Sequence, residues 1–448
     1  MAGFESDALG VYISVPFCRS KCTYCNFASG VYPVSEHARY VERVIEDLRG
    51  ARIWSKGRGA ELPRRVDTVY LGGGTPTLLA AELLAKIFAA MRAEFSLDAN
   101  AEITVECAPG QLADAMLVAM AAAGVNRVSL GVQSFIDGEA HASGRMHNRA
   151  TVEADLRRLR AAGITNLNVD LIVGLAGQTF ASWEESLAAL ADSGVPHASV
   201  YMLEVDEDSR LGREVLAGGS RYRAALVPSE DAIARMYERA IERLAESGIE
   251  QYEISNFSRP GFESRHNLRY WKRRPYLGVG LDAASMLQTD PALAAKTRIR
   301  EGPGAQAMLC EPGLVSGHDF SRAADNAKSM GALAPAQVLR STTTDDLKAY
   351  LAGPATAETT RLSPVRQHEE AWFLGLRMNA GVDVAALELE FGCAMVAPAM
   401  KTMERLVKDE LLSFDGERVR LTARGRLISN NVFQEFLEPA VVHSNHST

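Results

Sequence analysis

The sequence predicts an α/β fold around a parallel sheet that is either open or curled toward a barrel. Over the first half of the chain, short β-branched or apolar runs alternate with segments whose apolar residues recur at helical spacing. Strands that alternate with helices form parallel sheets, which carry their chemistry at the carboxyl ends of the strands. The six predicted strands are Val11–Val15 and the runs that begin at Val66, Ala101, Arg127, Asn166 and His197.

The composition is that of an ordinary globular protein. With 47% hydrophobic residues among 448, the chain can bury a large core and form one large domain and a smaller one. No apolar run is long enough to span a membrane, and the N-terminal residues do not resemble a signal peptide, so the expected location is the cytoplasm. The 48 basic and 56 acidic residues argue against binding of nucleic acid.

Four regions divide the chain. Residues 1–290 contain the alternating strands and helices together with an extension that includes a further long helix. Residues 291–363 are rich in Gly, Ala, Pro, Ser and Thr, show little periodicity, and are predicted to be a connector or insertion. Residues 364–437 have helical patterns followed by a short hairpin, which predicts a small helical or winged-helix-like domain. Residues 438–448 are predicted to be a disordered tail.

Three of the six cysteines lie on one predicted loop directly after the first strand. Cys18, Cys22 and Cys25 have C-x3-C-x2-C spacing, and three thiolates on such a loop can bind three irons of a 4Fe-4S cluster. The fourth iron would then be open to a chelating ligand. The alternatives are a zinc site, for which no fourth ligand motif is visible, and a metal-free group of thiols, which would be prone to oxidation.

With Tyr24 before and Phe27 after the third cysteine, the loop resembles that of the radical S-adenosylmethionine (SAM) superfamily. The resemblance implies a partial (β/α)6 radical SAM barrel, in which the open iron binds the amino and carboxylate groups of SAM. Glu106, Gln133 and Asp170 also fall at or near the ends of successive predicted strands, where a ligand site is expected. The implied SAM contacts are Tyr12, Phe27, Gly73, Gly74, Thr75, Glu106, Gln133, Arg145 and Asp170.

Further motifs resemble the HemW-type haem chaperones, which are relatives of the oxygen-independent coproporphyrinogen III oxidases. They are YLGGGTPT, LGVQSF, DLIVGLAGQT, YEISNFSRPG and RHNLRYW. The oxidases carry a fourth cysteine two positions after the third, where this chain has Phe27, and a long N-terminal arm that is missing here. The resemblance therefore favours a haem chaperone. A radical SAM enzyme of the oxidase type and a non-catalytic scaffold are the alternatives, and no catalytic residue is assigned.

The resemblance also implies where haem binds. The HNxxYW stretch is associated with haem in this branch, which makes His266 a candidate iron ligand beside Tyr270 and Trp271, with nearby basic side chains for the propionates. The alternative is a hydrogen-bonded structural histidine. Ala284 stands where the family usually has a second histidine. The implied partners are haem or another porphyrin, an electron donor and a membrane-bound haemoprotein as acceptor.

Overall fold

The fold is organised around one large sheet. A computed structural model describes residues 8–289, 337–353 and 356–437 of the chain, and twelve strands of these residues form the sheet. Its six central strands run parallel to their neighbours in chain order, which confirms all six predicted strands. They are β1 (Leu9–Val15), β2 (Arg65–Gly73), β3 (Ser96–Cys107), β4 (Arg127–Gln133), β5 (Asn166–Val173) and β6 (His197–Met202).

Helices connect these strands and cover the outer face of the sheet. Alternate strand residues such as Val169 and Leu171 are fully buried in the core that the helices complete, whereas Asn168 and Asp170 point to the opposite, inner face. The inner face of the barrel is therefore polar. The helices are α1 (Ser35–Lys56), α2 (Ala81–Glu94), α3 (Asp114–Ala123), α4 (Asp137–Ala142), α5 (Arg149–Ala161) and α6 (Phe180–Ser193), and Pro76–Leu78 forms a 3-10 turn.

After β6 the chain first passes over the cysteine loop and then returns to the other end of the barrel. α7 (Arg210–Leu216) contacts the cysteine loop, since the amide of Leu211 donates to the carbonyl of Thr23, and the 3-10 segment Arg221–Leu226 packs against α7. The next elements are α8 (Glu230–Glu246), β7 (Glu250–Gln251), β8 (Asn256–Ser258) and α9 (Arg265–Trp271). Helix α9 lies against the early residues of the central strands, because the imidazole of His266 contacts Thr68 and two backbone amides of α9 bind Glu102. This end of the barrel is opposite to the cysteine loop.

Six strands extend the sheet beyond its parallel centre. β9 (Tyr276–Val279) runs parallel to β1, and β8 pairs antiparallel with β6, so the central strands do not close on each other. β10 (Ala284–Gln288), β11 (Val338–Thr343) and β12 (Thr356–Leu362) continue the sheet beside β9, and α10 (Leu347–Ala352) lies between the last two in the chain. The predicted connector thus supplies two strands to the main sheet, although its bounds stay a prediction.

The C-terminal residues form a second, smaller core. Trp372, Phe391, Met403 and Phe436 are buried in it together, and a three-stranded antiparallel sheet packs against the helices. This arrangement agrees with the predicted helical, winged-helix-like domain. Its elements are α11 (Pro364–Arg377), β13 (Val382–Asp383), α12 (Val384–Phe391), α13 (Cys393–Lys408), β14 (Leu412–Phe414), β15 (Arg418–Leu421), α14 (Ala423–Leu427) and α15 (Ser429–Gln434). The predicted tail lies outside the described residues.

Candidate functional site

The cysteine loop follows the carboxyl end of β1 and is held in shape by its own backbone. The amide of Cys18 donates to the carbonyl of Gly30 at 2.8 Å, and the ammonium of Lys21 donates to the carbonyls of Phe27 and Ser29 at 2.5 and 2.9 Å. These bonds fold the loop around Cys22 and Cys25. As a result, the thiols of Cys18, Cys22 and Cys25 all line one cleft.

The surroundings of the three thiols suit ligands of a metal cluster better than thiolates exposed to water. Burial raises the pKa of the Cys18 thiol, and the nearby Cys25 and Cys22 raise it further. Each thiolate of a cubane binds a different iron, and in the described part of the chain no three His, Cys, Asp or Glu side chains gather about one point as ligands of a single ion would. The soft donors of this loop therefore suit a 4Fe-4S cluster whose positive irons would favour the thiolate form.

The glycine run at the end of β2 lets the backbone approach both the cysteine loop and the half-buried carboxylate of Glu106. A Cβ on Gly72 would lie 2.7 Å from Glu106 Oε1, and a Cβ on Gly74 would lie 2.8 Å from the carbonyl oxygen of Val15. Gly73 has a φ of 99°, which disfavours other residues, and its amide donates to Glu106 Oε2 at 3.1 Å. Side chains at these three glycine positions would occupy the space at the floor of the cleft.

Two carboxylates lie on that floor. Glu106 accepts hydrogen bonds from the hydroxyl of Tyr70 at 2.9 Å and from the Gly73 amide, and Asp170 accepts from Ser129 at 2.8 Å and Asn168 at 2.7 Å. Burial, followed by the charge of Asp170, raises the pKa of Glu106 to about 8. Burial also raises the pKa of Asp170. Both groups are prepared to accept hydrogen bonds from a ligand that brings donors or positive charge.

Arg145 and Gln133 complete this wall of the cleft. The guanidinium of Arg145 donates to the Tyr24 hydroxyl at 3.2 Å. Burial lowers the pKa of Arg145, but the nearby Tyr24, followed by Cys22 and Cys25, outweighs that effect and raises it. Gln133 adopts a φ of 69° at the end of β4 and is buried. Arg145 therefore places a positive charge between the cysteine loop and the carboxylates, where it can hold an anionic group of a ligand.

Most of the sequence-predicted residues meet in this one cleft, whose volume is about 1370 Å³ with its open mouth included. Tyr12, in contrast, does not line it. Tyr12 lies three residues before the end of β1, so its ring is one layer deeper, 6.0 Å from the ring of Tyr70 and 6.5 Å from that of His266. The predicted residues that do line the cleft are Cys18, Cys22, Cys25, Phe27, Gly73, Gly74, Thr75, Glu106, Gln133, Arg145 and Asp170.

A second set of cleft residues, at the end of β6 and in the segment after it, was not predicted from the sequence. Asn26 donates to Asp206 at 2.5 Å, and the amide of Leu211 donates to the carbonyl of Thr23 at 2.8 Å. Tyr201 lines the cleft as well. Because 180 positions separate Asn26 from Asp206 in the chain, only the fold reveals that the segment after β6 packs across the cysteine loop.

The predicted haem residues lie apart from the cleft. The imidazole of His266 is 1% exposed, with Nδ1 2.9 Å from the Thr68 hydroxyl and Nε2 2.8 Å from the Tyr270 hydroxyl. Burial lowers its pKa to about 3, so the ring is neutral. Trp271 is buried under the guanidinium of Arg377, which lies 4.4 Å from its ring centre. Both imidazole nitrogens are thus engaged in the described conformation, and an iron could reach one only by displacing its partner.

The basic side chains beside this motif are also largely paired. Arg269 forms a buried ion pair with Asp67, and Arg273 binds both carboxylate oxygens of Glu390 at 2.9 and 2.6 Å. These two arginines therefore stabilise the packing of α9 and are occupied in this conformation. Pairing with haem propionates would require them to exchange partners.

Comparisons with known proteins agree with this geometry. The family model described as the Radical SAM superfamily matches residues 12–190, and that of the HemN C-terminal domain matches residues 362–428. "Heme chaperone HemW" of Lactococcus lactis is 31% identical over 426 residues, covering 95% of this chain and 96% of that protein. The protein of the same name from Bacillus subtilis is 30% identical over 430 residues, covering 95% and 98%.

One solved structure has the same fold over nearly the whole chain. Coproporphyrinogen III oxidase (HemN) from Escherichia coli, a radical SAM enzyme, aligns with a TM-score of 0.74 at 21% identity, covering 97% of this chain and 91% of that one. At this identity the likeness establishes the fold alone. Among the described residues, no helix is both long enough and apolar enough to cross a membrane.

Proposed function

This chain belongs to the HemW family of radical SAM proteins, and on that premise we propose that it is a haem chaperone that holds a 4Fe-4S cluster and SAM in the cleft and carries haem as cargo. The superfamily implies the cluster and SAM. The observation that carries the assignment of the cleft is the meeting of three thiols, a glycine-lined floor and two half-buried carboxylates at the carboxyl ends of the parallel strands.

In the proposed site each group has one task. Cys18, Cys22 and Cys25 would hold three irons, and a bound cluster can supply an electron to SAM. The backbone carbonyl of Gly73 and the carboxylate of Asp170 would accept hydrogen bonds from the ligand. Both floor carboxylates are half-buried, and their reduced contact with water strengthens such hydrogen bonds.

Phe27 supports the chaperone over an oxidase. Its side chain lines the cleft at the position where the related oxidases have a fourth cysteine. An apolar ring there excludes water from the cluster loop and offers no further metal ligand. The chaperone proposal includes an electron donor for the cluster and a membrane-bound haemoprotein as the haem acceptor.

Haem binding is proposed at α9, with His266 as the iron ligand. Imidazole is a common haem ligand, and the family motif is intact at His266, Tyr270 and Trp271. Because both ring nitrogens are bonded in the described conformation, the proposal requires the imidazole to exchange one hydrogen bond for iron. The conformation described is then the haem-free one.

Two parallel assays on the anaerobically reconstituted protein test this function. We expect haem to be retained through gel filtration with a defined absorbance spectrum, and coproporphyrinogen III to release no carbon dioxide. Carbon dioxide release at a turnover rate would identify an oxidase instead. A His266→Ala protein with unchanged haem affinity and spectrum would remove His266 from the proposal while leaving the chaperone function standing.

A further inference from the structure

A chain of hydrogen bonds crosses the interior of the barrel from the start of α9 to the cleft. The amide of Ser264, the N-cap residue of α9, donates to the Tyr252 hydroxyl at 3.2 Å, and that hydroxyl lies 2.9 Å from Nε2 of His197. Nδ1 of His197 lies 2.6 Å from Asn168 Oδ1, and Asn168 Nδ2 donates to Asp170 Oδ1 at 2.7 Å. Helix α9 and the floor of the cleft are joined by three side chains, the buried Asn168 and His197 and the half-buried Tyr252.

The direction of every bond in this chain follows from the neutral state of one ring. Burial and the charge of Arg127 lower the pKa of His197 well below its usual value, so the imidazole carries one proton. Asn168 Oδ1 can only accept, which places that proton on Nδ1. Nε2 is then the acceptor and the Tyr252 hydroxyl donates to it. All donors therefore point from α9 toward Asp170.

Asp170 depends on such donors to remain charged. Burial raises its pKa, whereas hydrogen bonds from Ser129, Ser199 and Asn168 and the charge of Arg145 lower it. Glu106, whose pKa Asp170 helps to raise, faces it across the floor, and Tyr70 donates to Glu106. Loss of one donor in this buried setting shifts the balance toward the protonated acid.

We propose that Asn168, His197 and Tyr252 are positioning residues for SAM, which keep Asp170 ionised and turned toward the cleft so that it accepts hydrogen bonds from the ligand. The proposal rests on the proposed function, because it takes Asp170 as a SAM contact. None of the three residues lines the cleft, so each acts through Asp170. This positioning role also explains why a polar imidazole, that of His197, is buried in the barrel.

Removal of the Tyr252 hydroxyl leaves Nε2 of His197 as a buried acceptor without its donor. The cost of that unpaired nitrogen favours ring positions outside the hydrogen-bond chain, which weakens the bond from Nδ1 to Asn168 Oδ1. Asn168 is then held less firmly with its Nδ2 group toward Asp170. With a weaker donor, the carboxylate would lose its charge at a higher pH than in the unaltered protein.

The test compares two Tyr→Phe variants that each delete one buried hydroxyl. Tyr252→Phe breaks the chain, whereas the hydroxyl of Tyr237 bonds Ile254 and Gln251 outside it. SAM affinity is measured by equilibrium dialysis on the anaerobically reconstituted full chain between about pH 6 and 9. We expect Tyr252→Phe to bind SAM roughly tenfold more weakly near neutral pH, with affinity recovering at higher pH. We expect Tyr237→Phe to match the unaltered protein at every pH.

Asp170→Asn tests the proposed SAM contact of Asp170 separately from the proposed positioning role of the other three residues. If it binds SAM as well as the unaltered protein, Asp170 is not a SAM contact and that part of the proposed function fails. If it binds weakly while Tyr252→Phe keeps the original affinity and pH profile, the positioning role is overturned. Equal losses in Tyr252→Phe and Tyr237→Phe overturn it too, since the effect would then be structural.

A second pair of variants covers the case in which Tyr252→Phe does not fold. His197→Asn keeps an N–H group that can reach Asn168, whereas His197→Leu has no donor. We expect His197→Asn to retain most of the SAM affinity and His197→Leu to lose it. Equal affinity in the two variants contradicts the proposal.

Discussion

The two ends of the barrel are built for different tasks. At the cleft end, glycines and the half-buried groups Glu106, Asp170 and Arg145 surround an open space, and loss of solvation raises the pKa of both carboxylates. At the α9 end, polar groups satisfy one another: Glu102 accepts from two backbone amides of α9, and both nitrogens of His266 are bonded. The first end is prepared for a ligand, whereas the second must rearrange to receive one.

The strongest test of the cleft end is Cys22→Ser. Serine is a hard, poorly acidic ligand, so we expect iron and sulfide content after anaerobic reconstitution to fall to a small fraction of that of the unaltered protein. The matched control is Cys393→Ser, which changes an exposed cysteine of the C-terminal domain and should leave the iron content unchanged. Full iron incorporation in Cys22→Ser would remove this loop as the cluster site.

The α9 end should respond most strongly in stability. Glu253 is fully buried and pairs with Arg377 Nε at 2.8 Å, which ties the barrel to the C-terminal domain. Glu253→Ala leaves the arginine buried without its partner, so we expect the free energy of unfolding to fall by about 3–5 kcal/mol in urea denaturation. Glu417→Ala breaks an exposed pair with Arg418 and should have no measurable effect. Similar changes in the free energy of unfolding of the two variants would show that the Glu253–Arg377 pair does not stabilise the α9 end.

The cleft end should lose stability as pH rises. The pKa of Glu106 is about 8 in the folded protein against 4.5 as its ordinary value, so the folded state holds this proton more tightly than the unfolded chain. Its stabilising contribution is complete below about pH 4.5 and is lost as pH rises to about 8, by roughly 1.4 kcal/mol per unit of pKa shift. Glu106→Gln should remove this part of the pH dependence in urea titrations of the cofactor-free protein. If the free energy of unfolding varied with pH in the same way in both proteins, the raised pKa of Glu106 would be refuted.

The smallest expected effect concerns the imidazole at the α9 end. Tyr270→Phe removes the hydroxyl that occupies Nε2 of His266, so iron no longer competes with that bond. We expect the haem dissociation constant to decrease about two- to tenfold, since a hydrogen bond of this kind contributes about 0.5–1.5 kcal/mol. Tyr350→Phe, which deletes another buried hydroxyl, should not change haem affinity. Weaker haem binding in Tyr270→Phe would mean that the phenol itself contacts the haem.

The comparison of the two ends also explains how much of the fold and of the site could be predicted from the sequence. The cleft was predictable because strands of the first half of the chain end on one rim, so residues such as Glu106 and Asp170 fall at matching positions along the sequence. The closed state of the α9 end was not, because Thr68 and Glu102 lie 198 and 164 positions from His266. The strands β11 and β12 were also missed, since their Thr and Ser residues leave no apolar period in the sequence.

Hydrogen exchange of α9 on haem binding tests the central claim most directly. Amide exchange in Arg265–Trp271 is measured by mass spectrometry before and after haem is added, with haem occupancy verified from the absorbance spectrum. If His266 leaves its partners to bind iron, exchange in α9 becomes faster on haem binding, whereas the strands β4 and β5 keep their protection. Full haem occupancy with unchanged exchange in α9 would contradict the account and place the haem elsewhere on the protein.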